Sequence, residues 1–86
     1  MANSLIDLII IDTNKTIYQG RVKTISSLDE KGRFDILPFH AHFIALINKT
    51  VVVVEENGVE KTFTITDGIL KILDNNAKIF LGIETM

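Results

Sequence analysis

The sequence predicts an all-β protein: a small antiparallel β-sandwich or flattened barrel of roughly eight to ten short strands, with no long helix. Segments rich in β-branched residues recur along the chain, and turn-forming residues separate them at close spacing. The 86 residues are enough for one hydrophobic core, and the sequence has neither a linker nor an internal repeat. We therefore predict a single domain over residues 1–86.

The first two predicted strands are joined by a short turn. Residues 5–12 are rich in isoleucine and leucine, and the polar triplet 13–15 that follows is typical of a turn. A second strand is predicted over residues 17–25, where Gly20 indicates a bulge or a close approach of the backbone.

The next stretch predicts a hairpin and then a break in the sheet. Residues 26–31 are polar and end at Gly32, so we predict an exposed hairpin loop there. Residues 33–37 form a short strand, and Pro38 interrupts the sheet because it has no N–H to donate. Residues 39–47 are too few and too apolar for their period to distinguish a helix from a strand.

The clearest hairpin in the sequence spans residues 51–65. Its Asn57-Gly58 pair favours a two-residue turn, because both positions tolerate positive φ. A two-residue loop would place Glu55 directly opposite Glu60, which is a destabilising pair of like charges. Either Lys61 compensates for this pair or the loop is one residue longer.

Two further turns divide the end of the chain. Asp67-Gly68 predicts one turn, residues 69–73 a strand, residues 74–76 another turn, and residues 77–83 the last strand.

Composition excludes several classes of function. The net charge is only −2 and the basic residues are scattered, so we expect no nucleic acid partner. The absence of cysteine excludes disulfides and thiolate chemistry. The N-terminus does not resemble a signal peptide, and the apolar runs are far shorter than the roughly 20 residues that cross a bilayer, so we expect no direct insertion into a membrane.

The only candidate for a chemical site is the pair His40 and His42. On an extended strand both would point to the same side, which suits two metal ligands, but a third ligand would have to be Asp35 or a residue distant in sequence. The alternative is a structural or interface role for both histidines. No glycine-rich phosphate loop or paired carboxylates can be identified, so we expect no cofactor, no nucleotide and no catalytic centre.

The segment Gly32-Arg-Phe-Asp-Ile-Leu-Pro-Phe-His-Ala41 carries a family resemblance. It resembles the Gly-x-x-Gly-Ile-Leu-Pro-x-His-Ala-Pro motif in the N-terminal β-sandwich of the epsilon subunit of F-type ATP synthases, called delta in mitochondria. Residues 17–22 match the family's aromatic-x-Gly-x-Val segment, and residues 63–72 match its phenylalanine and Gly-Gly-x-x-x-Val run. The resemblance covers essentially the whole chain in the family's order.

This sequence departs from the family's pattern at several positions. Asp35 and Asp67 replace common glycines, His42 replaces the proline after His-Ala, and Asn48-Lys49 stands where a glycine turn is frequent. The family's two C-terminal helices have no counterpart among these residues, so the resemblance implies neither helix-mediated inhibition of ATP hydrolysis nor a nucleotide site.

The resemblance implies a non-catalytic rotor subunit of the central stalk. It would join the gamma subunit to the membrane c-ring, help couple ion translocation to ATP synthesis, and lie at the cytoplasmic face of a bacterial-type membrane. Transferred by position, the c-ring contacts are Asp29, Glu30, Lys31 and Arg33, the gamma contacts are His40, His42 and Phe43, and the structural motif is Gly20, Gly32, Pro38, His40, Ala41 and Gly68.

Two alternatives stay open on the residues alone. The Asp29–Arg33 tip is either a solvated hairpin end or a loop that contacts a partner. The whole domain could also be a stand-alone interaction module that uses the same sandwich for another partner, as the substitutions at Asp35 and His42 suggest.

Overall fold

The computed structural model describes residues 5–37 and 42–82, and these residues form six strands and no helix. The predicted all-β class is confirmed. The strands are β1 Ile6–Asp12, β2 Lys15–Asp29, β3 Gly32–Ile36, β4 His42–Glu55, β5 Glu60–Leu73 and β6 Asn76–Leu81. With no helix in the described ranges, these ranges contain no helix that could span a membrane.

The described residues have fewer and longer strands than the sequence predicts. β2, β4 and β5 are 14 or 15 residues long, and each bends so that its two halves join different layers. The two layers therefore contain nine strand segments, although only six continuous strands supply them. The recurring β-branched segments of the sequence correspond to these strand segments. The residues at the bends between them resemble turns, which is why the sequence predicts more and shorter strands.

Strand pairing closes the sheet into a flattened barrel. The order is β1-β6-β5-β4-β2-β3, and an additional β1–β2 pairing completes the ring. All pairs are antiparallel except β1–β6. The first layer holds residues 6–12, 15–22, 42–48, 67–73 and 76–81, and the second holds residues 24–29, 32–36, 49–55 and 60–66.

Two predicted turns are confirmed as tight hairpins. Thr13 and Asn14 join β1 to β2 with φ of 48° and 66°, and Asp74 and Asn75 join β5 to β6 with φ of 51° and 62°. Positive φ at both central residues is the signature of the type I′ turn, whose twist matches that of the flanking strands. Asparagine and aspartate tolerate this conformation better than most residues do.

The β4–β5 hairpin has the longer of the two loops considered from the sequence. The Glu55 N–H donates to the Val59 carbonyl at 2.7 Å, and Gly58, with φ of 89°, donates to the Glu55 carbonyl at 2.9 Å. This three-residue loop pairs Val54 with Glu60, so Glu55 and Glu60 are not opposite each other. The predicted clash of like charges is therefore avoided by register.

The predicted loop over residues 26–31 is too long, and the predicted Asp67-Gly68 turn is wrong, because a strand continues through each segment. β2 extends to Asp29, and only residues 30–31 form the turn before β3. Ser26 and Ser27 are buried in β2. Burial of these hydroxyls is possible because Ser26 Oγ donates to Asp35 Oδ1 at 2.6 Å and Ser27 Oγ to the Thr50 carbonyl at 2.7 Å.

The predicted Asp67-Gly68 turn is instead a bulge inside β5. Asn48 pairs with Asp67 but Lys49 pairs with Ile65, so β5 has one extra residue at this point. Lys49 adopts a φ of 70°, which allows β4 to bend at the same place. A bulge strengthens the local twist, and here it moves both strands from one layer to the other.

The core lies between the two layers and is aliphatic. Burying one such side chain stabilises the fold by about 1.5–3 kcal/mol. Gly68 is buried in this region, where a Cβ would lie 3.0 Å from the Phe80 carbonyl oxygen. The fully buried side chains include Ile6, Leu8, Ile10, Val22, Ile25, Ile36, Ile47, Val51, Val53, Leu70 and Ile79.

Candidate functional site: the outer faces of the sandwich

The outer side of the first layer is rich in apolar side chains. Residues that pair across strands share a face, so the register aligns Leu46, Ile69, Phe80 and Ile11 in one row and Ile44, Lys71, Lys78 and Ile9 in the next. Ile44 and Leu46 are 69% and 73% exposed, and Leu73 is 46% exposed. We call this surface the apolar face; its members are Ile9, Ile11, Ile44, Leu46, Ile69, Leu73 and Phe80.

Two lysines lie at the centre of the apolar face. Lys71 on β5 and Lys78 on β6 are direct cross-strand partners, and both are exposed. Within the described residues neither forms a salt bridge. The nearby acids have other partners: Asp7 pairs with Arg21 at 3.4 Å, and Asp74 lies 3.8 Å from His42 Nε2.

The outer side of the second layer has a different chemistry. Threonine dominates it, and its partly buried valines lie between the hydroxyl-bearing side chains. The residues of this side include Thr24, Thr50, Val52, Val54, Thr62 and Thr64. Because hydroxyl groups hydrogen-bond readily to water, covering this face with a partner would gain less free energy than covering the apolar face.

The charged turn between β2 and β3 lies at one end of the sandwich. Its members are Asp29, Glu30, Lys31 and Arg33, to which the family resemblance assigns c-ring contact. Asp29 Oδ1 accepts the Lys31 N–H at 2.8 Å, which fixes the turn locally. Arg33 Nε instead lies 3.3 Å from Asp35 Oδ1, so this guanidinium is held along β3. Glu30, Lys31 and Arg33 are exposed and Asp29 is half-buried, and the turn is shorter than predicted.

A groove of about 630 Å³ connects the charged turn to the edge of the apolar face. Asp29, Glu30 and Lys31 line one side, and residues 43–48 line the other. Ile44 and Leu46 thus belong both to this groove and to the apolar face. The two surfaces are contiguous.

The residues that the resemblance assigns to gamma contact lie in different environments. His42 is exposed at the margin of the apolar face, paired in register with Leu73. Phe43 points the other way and is half-buried, with its ring centroid 5.7 Å from that of Phe34. His40 lies outside the described residues. The residues that the structure does describe contain no cluster of three potential metal ligands.

Asp35 fits its position because β3 pairs only with β2 among the described strands. Its carboxylate is exposed and accepts hydrogen bonds from Ser26 Oγ at 2.6 Å and Arg33 Nε at 3.3 Å. These two bonds hold the pKa of Asp35 below its ordinary value. The family's glycine is therefore not required for close packing at this site.

The predicted structural glycines have separate roles. Gly32 has a φ of 120°, which favours glycine, and it is the first residue of β3. Gly20 leaves room for Tyr18, whose hydroxyl oxygen would lie 3.2 Å from a Cβ at position 20. Gly68 prevents a clash with β6, as described above. The other motif residues, Pro38, His40 and Ala41, lie outside the described residues.

Tyr18 joins the β1–β2 part of the fold to the β4–β5 hairpin. Its hydroxyl donates to Glu55 Oε2 at 2.7 Å, and Lys61 Nζ lies 3.2 Å from the same oxygen. Burial and the bond to Glu55 raise the pKa of Tyr18 to about 12, while the phenol and the ammonium lower that of Glu55. The Phe63 ring packs edge-on against Tyr18 at 5.5 Å.

Sequence reasoning missed most of the apolar face. The alternation in residues 69–73 and 76–80 places Ile69, Lys71 and Leu73, and likewise Lys78 and Phe80, on one side of their strands. This alternation can be seen in the sequence alone. The pairing of Lys71 with Lys78 cannot, because it depends on the register of β5 against β6.

These features define a small β-sandwich with one apolar outer face and one outer face rich in threonine. The chain belongs to the family described as ATP synthase, Delta/Epsilon chain, beta-sandwich domain, whose sequence profile matches residues 5–82. The recognition made from the sequence is thereby confirmed.

Curated relatives agree with this assignment. The ATP synthase epsilon chain of Clostridium acetobutylicum is 38% identical over 73 residues, and that of Sulfurovum sp. is 32% identical over 69 residues. These matches cover 84% and 79% of this chain but 54% of either relative, so the chain spans about half of their length.

Two solved structures share the fold. A chain in the cryo-EM structure of the Euglena gracilis mitochondrial ATP synthase superposes with a TM-score of 0.86 at 19% identity, covering 96% of this chain and 54% of that one. A chain in the central stalk and c-ring structure from Tetrahymena thermophila gives 0.72 at 13% identity, covering 94% and 66%.

Proposed function

We propose that this chain is a non-catalytic rotor subunit of an F-type ATP synthase, which joins the gamma subunit to the c-ring. The observation that carries the proposal is the contiguity of two surfaces of different chemistry. The apolar face suits a broad, permanent contact, and the charged turn suits a polar contact at the end of the domain. Membership of the epsilon family supports the identity of both partners.

The apolar face is the proposed gamma contact. Ile44 and Leu46 are largely exposed and Leu73 is about half exposed, and covering them would remove apolar area from water. His42, at the margin of this face, belongs to the contact. Phe43 supports it from inside by packing on Phe34.

The charged turn is the proposed c-ring contact. Asp29, Glu30 and Lys31 are not held by a salt bridge within the described residues, so they are available to polar loops of the ring. Such charges orient and steer a contact more than they tighten it. Arg33 reaches the same partner only if it leaves Asp35.

In this proposal the subunit works mechanically. Ion flow turns the ring, the charged turn carries that rotation into the sandwich, and the apolar face passes it to gamma. A close-packed interior deforms little under load. The role needs no bound cofactor and no nucleotide, and it holds the subunit at the cytoplasmic face of the membrane through the complex.

A pull-down from native membranes tests the proposal. The tagged chain should recover gamma and the c-ring together, in stoichiometric amounts. Recovery of an unrelated partner without either would favour the stand-alone interaction module instead, and recovery of nothing would reject the rotor role.

A variant with reversed charges at Asp29, Glu30 and Arg33 separates the two contacts. It should still bind gamma, but it should lower ion-driven ATP synthesis in reconstituted vesicles. Lys23→Glu, a charge reversal at an exposed position of β2 outside the apolar face, is the control. Unchanged coupling in the first variant would reject the assignment of the turn to the ring.

A further inference from the structure

The Lys71–Lys78 pair is unfavourable in the isolated chain. Like charges directly opposite each other on antiparallel strands destabilise a sheet. The flanking residues in the same row are Ile44 and Ile9, which cannot neutralise them. Repulsion between these two ammonium groups is therefore not relieved within the described residues.

Among the described residues, no acid forms a salt bridge with either lysine. Asp7, diagonal to Lys78 across β1 and β6, is engaged with Arg21 at 3.4 Å. Asp74 lies beside His42 at the end of the sheet, 3.8 Å from its Nε2. The sandwich is acidic overall, with 11 carboxylate residues against nine basic ones, yet this face presents two adjacent positive charges.

We propose that the surface covering the apolar face presents a carboxylate between Lys71 and Lys78. This inference rests on the proposed function, in which that surface belongs to gamma, and it adds the chemistry by which the partner is selected. A single Asp or Glu can accept hydrogen bonds from both ammonium groups, because it has two oxygens.

The surrounding apolar side chains make this contact selective. Once Ile44, Leu46 and Leu73 are covered, water leaves the two lysines as well, and the charges act in a medium of lower dielectric constant. A partner without an acid there would bury two unpaired charges, which is costly. The apolar face thus supplies the contact area, and the two lysines disfavour a partner surface that has no acidic residue at this position.

Lys78→Glu tests the inference with two readouts that move in opposite directions. In the isolated chain, glutamate opposite Lys71 turns repulsion into attraction, so the Tm should rise by about 2–8 °C. Against purified gamma subunit the same variant should bind at least about tenfold more weakly. A variant that is merely damaged would lose both stability and affinity.

The control is Lys23→Glu, which makes the same change in net charge at an exposed position of β2 outside the apolar face. It should leave gamma affinity unchanged. Affinity of the unmodified chain should also fall with rising salt, and that dependence should weaken in Lys78→Glu.

The outcomes are distinct. If the unmodified chain binds gamma and Lys78→Glu binds it equally well, the acidic partner is rejected while the proposed function stands. If the Tm of Lys78→Glu does not rise, the repulsion itself is refuted. If the unmodified chain does not bind gamma, the proposed function fails, and this inference fails with it.

Discussion

Replacing Ile44 and Leu46 by serine should weaken binding to gamma without unfolding the domain. The two side chains are 69% and 73% exposed, so about two thirds of their surface remains to be covered. Complete burial of an aliphatic side chain is worth about 1.5–3 kcal/mol, which leaves about 1–2 kcal/mol for each residue. The double variant should lose about 2–4 kcal/mol of binding free energy, which is roughly a 30- to 1000-fold increase in Kd.

Isothermal titration calorimetry with purified gamma measures this loss, and circular dichroism checks the fold. The matched control replaces Ile17 and Val59 by serine; these are 43% and 46% exposed and lie off the apolar face. The control should bind as the unmodified chain does. If the Ile44 and Leu46 variant keeps its affinity while folded, or if the control loses as much, the apolar face is not the gamma contact.

Three further predictions concern the fold. Gly68→Ala should lower the free energy of unfolding by about 1–3 kcal/mol, because its Cβ would crowd the Phe80 carbonyl; an unchanged urea midpoint would contradict this packing. Ser27→Ala should cost about 1–3 kcal/mol in the same assay, since it leaves the Thr50 carbonyl without its hydroxyl donor, and a neutral result would mean that water replaces the bond. The folded-state pKa of Tyr18 is raised from 10.0 to about 12, so its neutral phenol contributes stability that is complete below pH 10 and lost as the pH rises toward 12. Chemical denaturation across that range should show the loss, and Tyr18→Phe should lack it.

Local chemistry made most of the fold predictable. The 13–15 and 74–76 turns are set by residues that tolerate positive φ, and the strands by their β-branched content. The incorrect turn and loop predictions fall where one local sequence pattern is compatible with two different structures. Asp67-Gly68 is typical of a turn, but here it forms a bulge at which Gly68 lets β6 approach. Ser26 and Ser27 are typical of a loop, but their hydroxyls have partners inside the sheet.

The candidate site was less predictable because it depends on register. The family motif led to the charged turn, which is contiguous in sequence. The apolar face is assembled from four strands, and no sequence pattern states that Lys71 lies opposite Lys78. Alternation alone predicts which side of β5 Ile69 and Leu73 occupy, but not what stands beside them.

The bends in β2, β4 and β5 have a mechanical consequence. In a sandwich whose sheets touch only through side chains, a sideways force is resisted by packing contacts, which can slip. Here three strands pass from one layer into the other, near Val22–Thr24, Asn48–Lys49 and Ile65–Asp67. Sliding one sheet over the other would stretch covalent bonds at three places, so the domain should resist shear far better than its small core suggests.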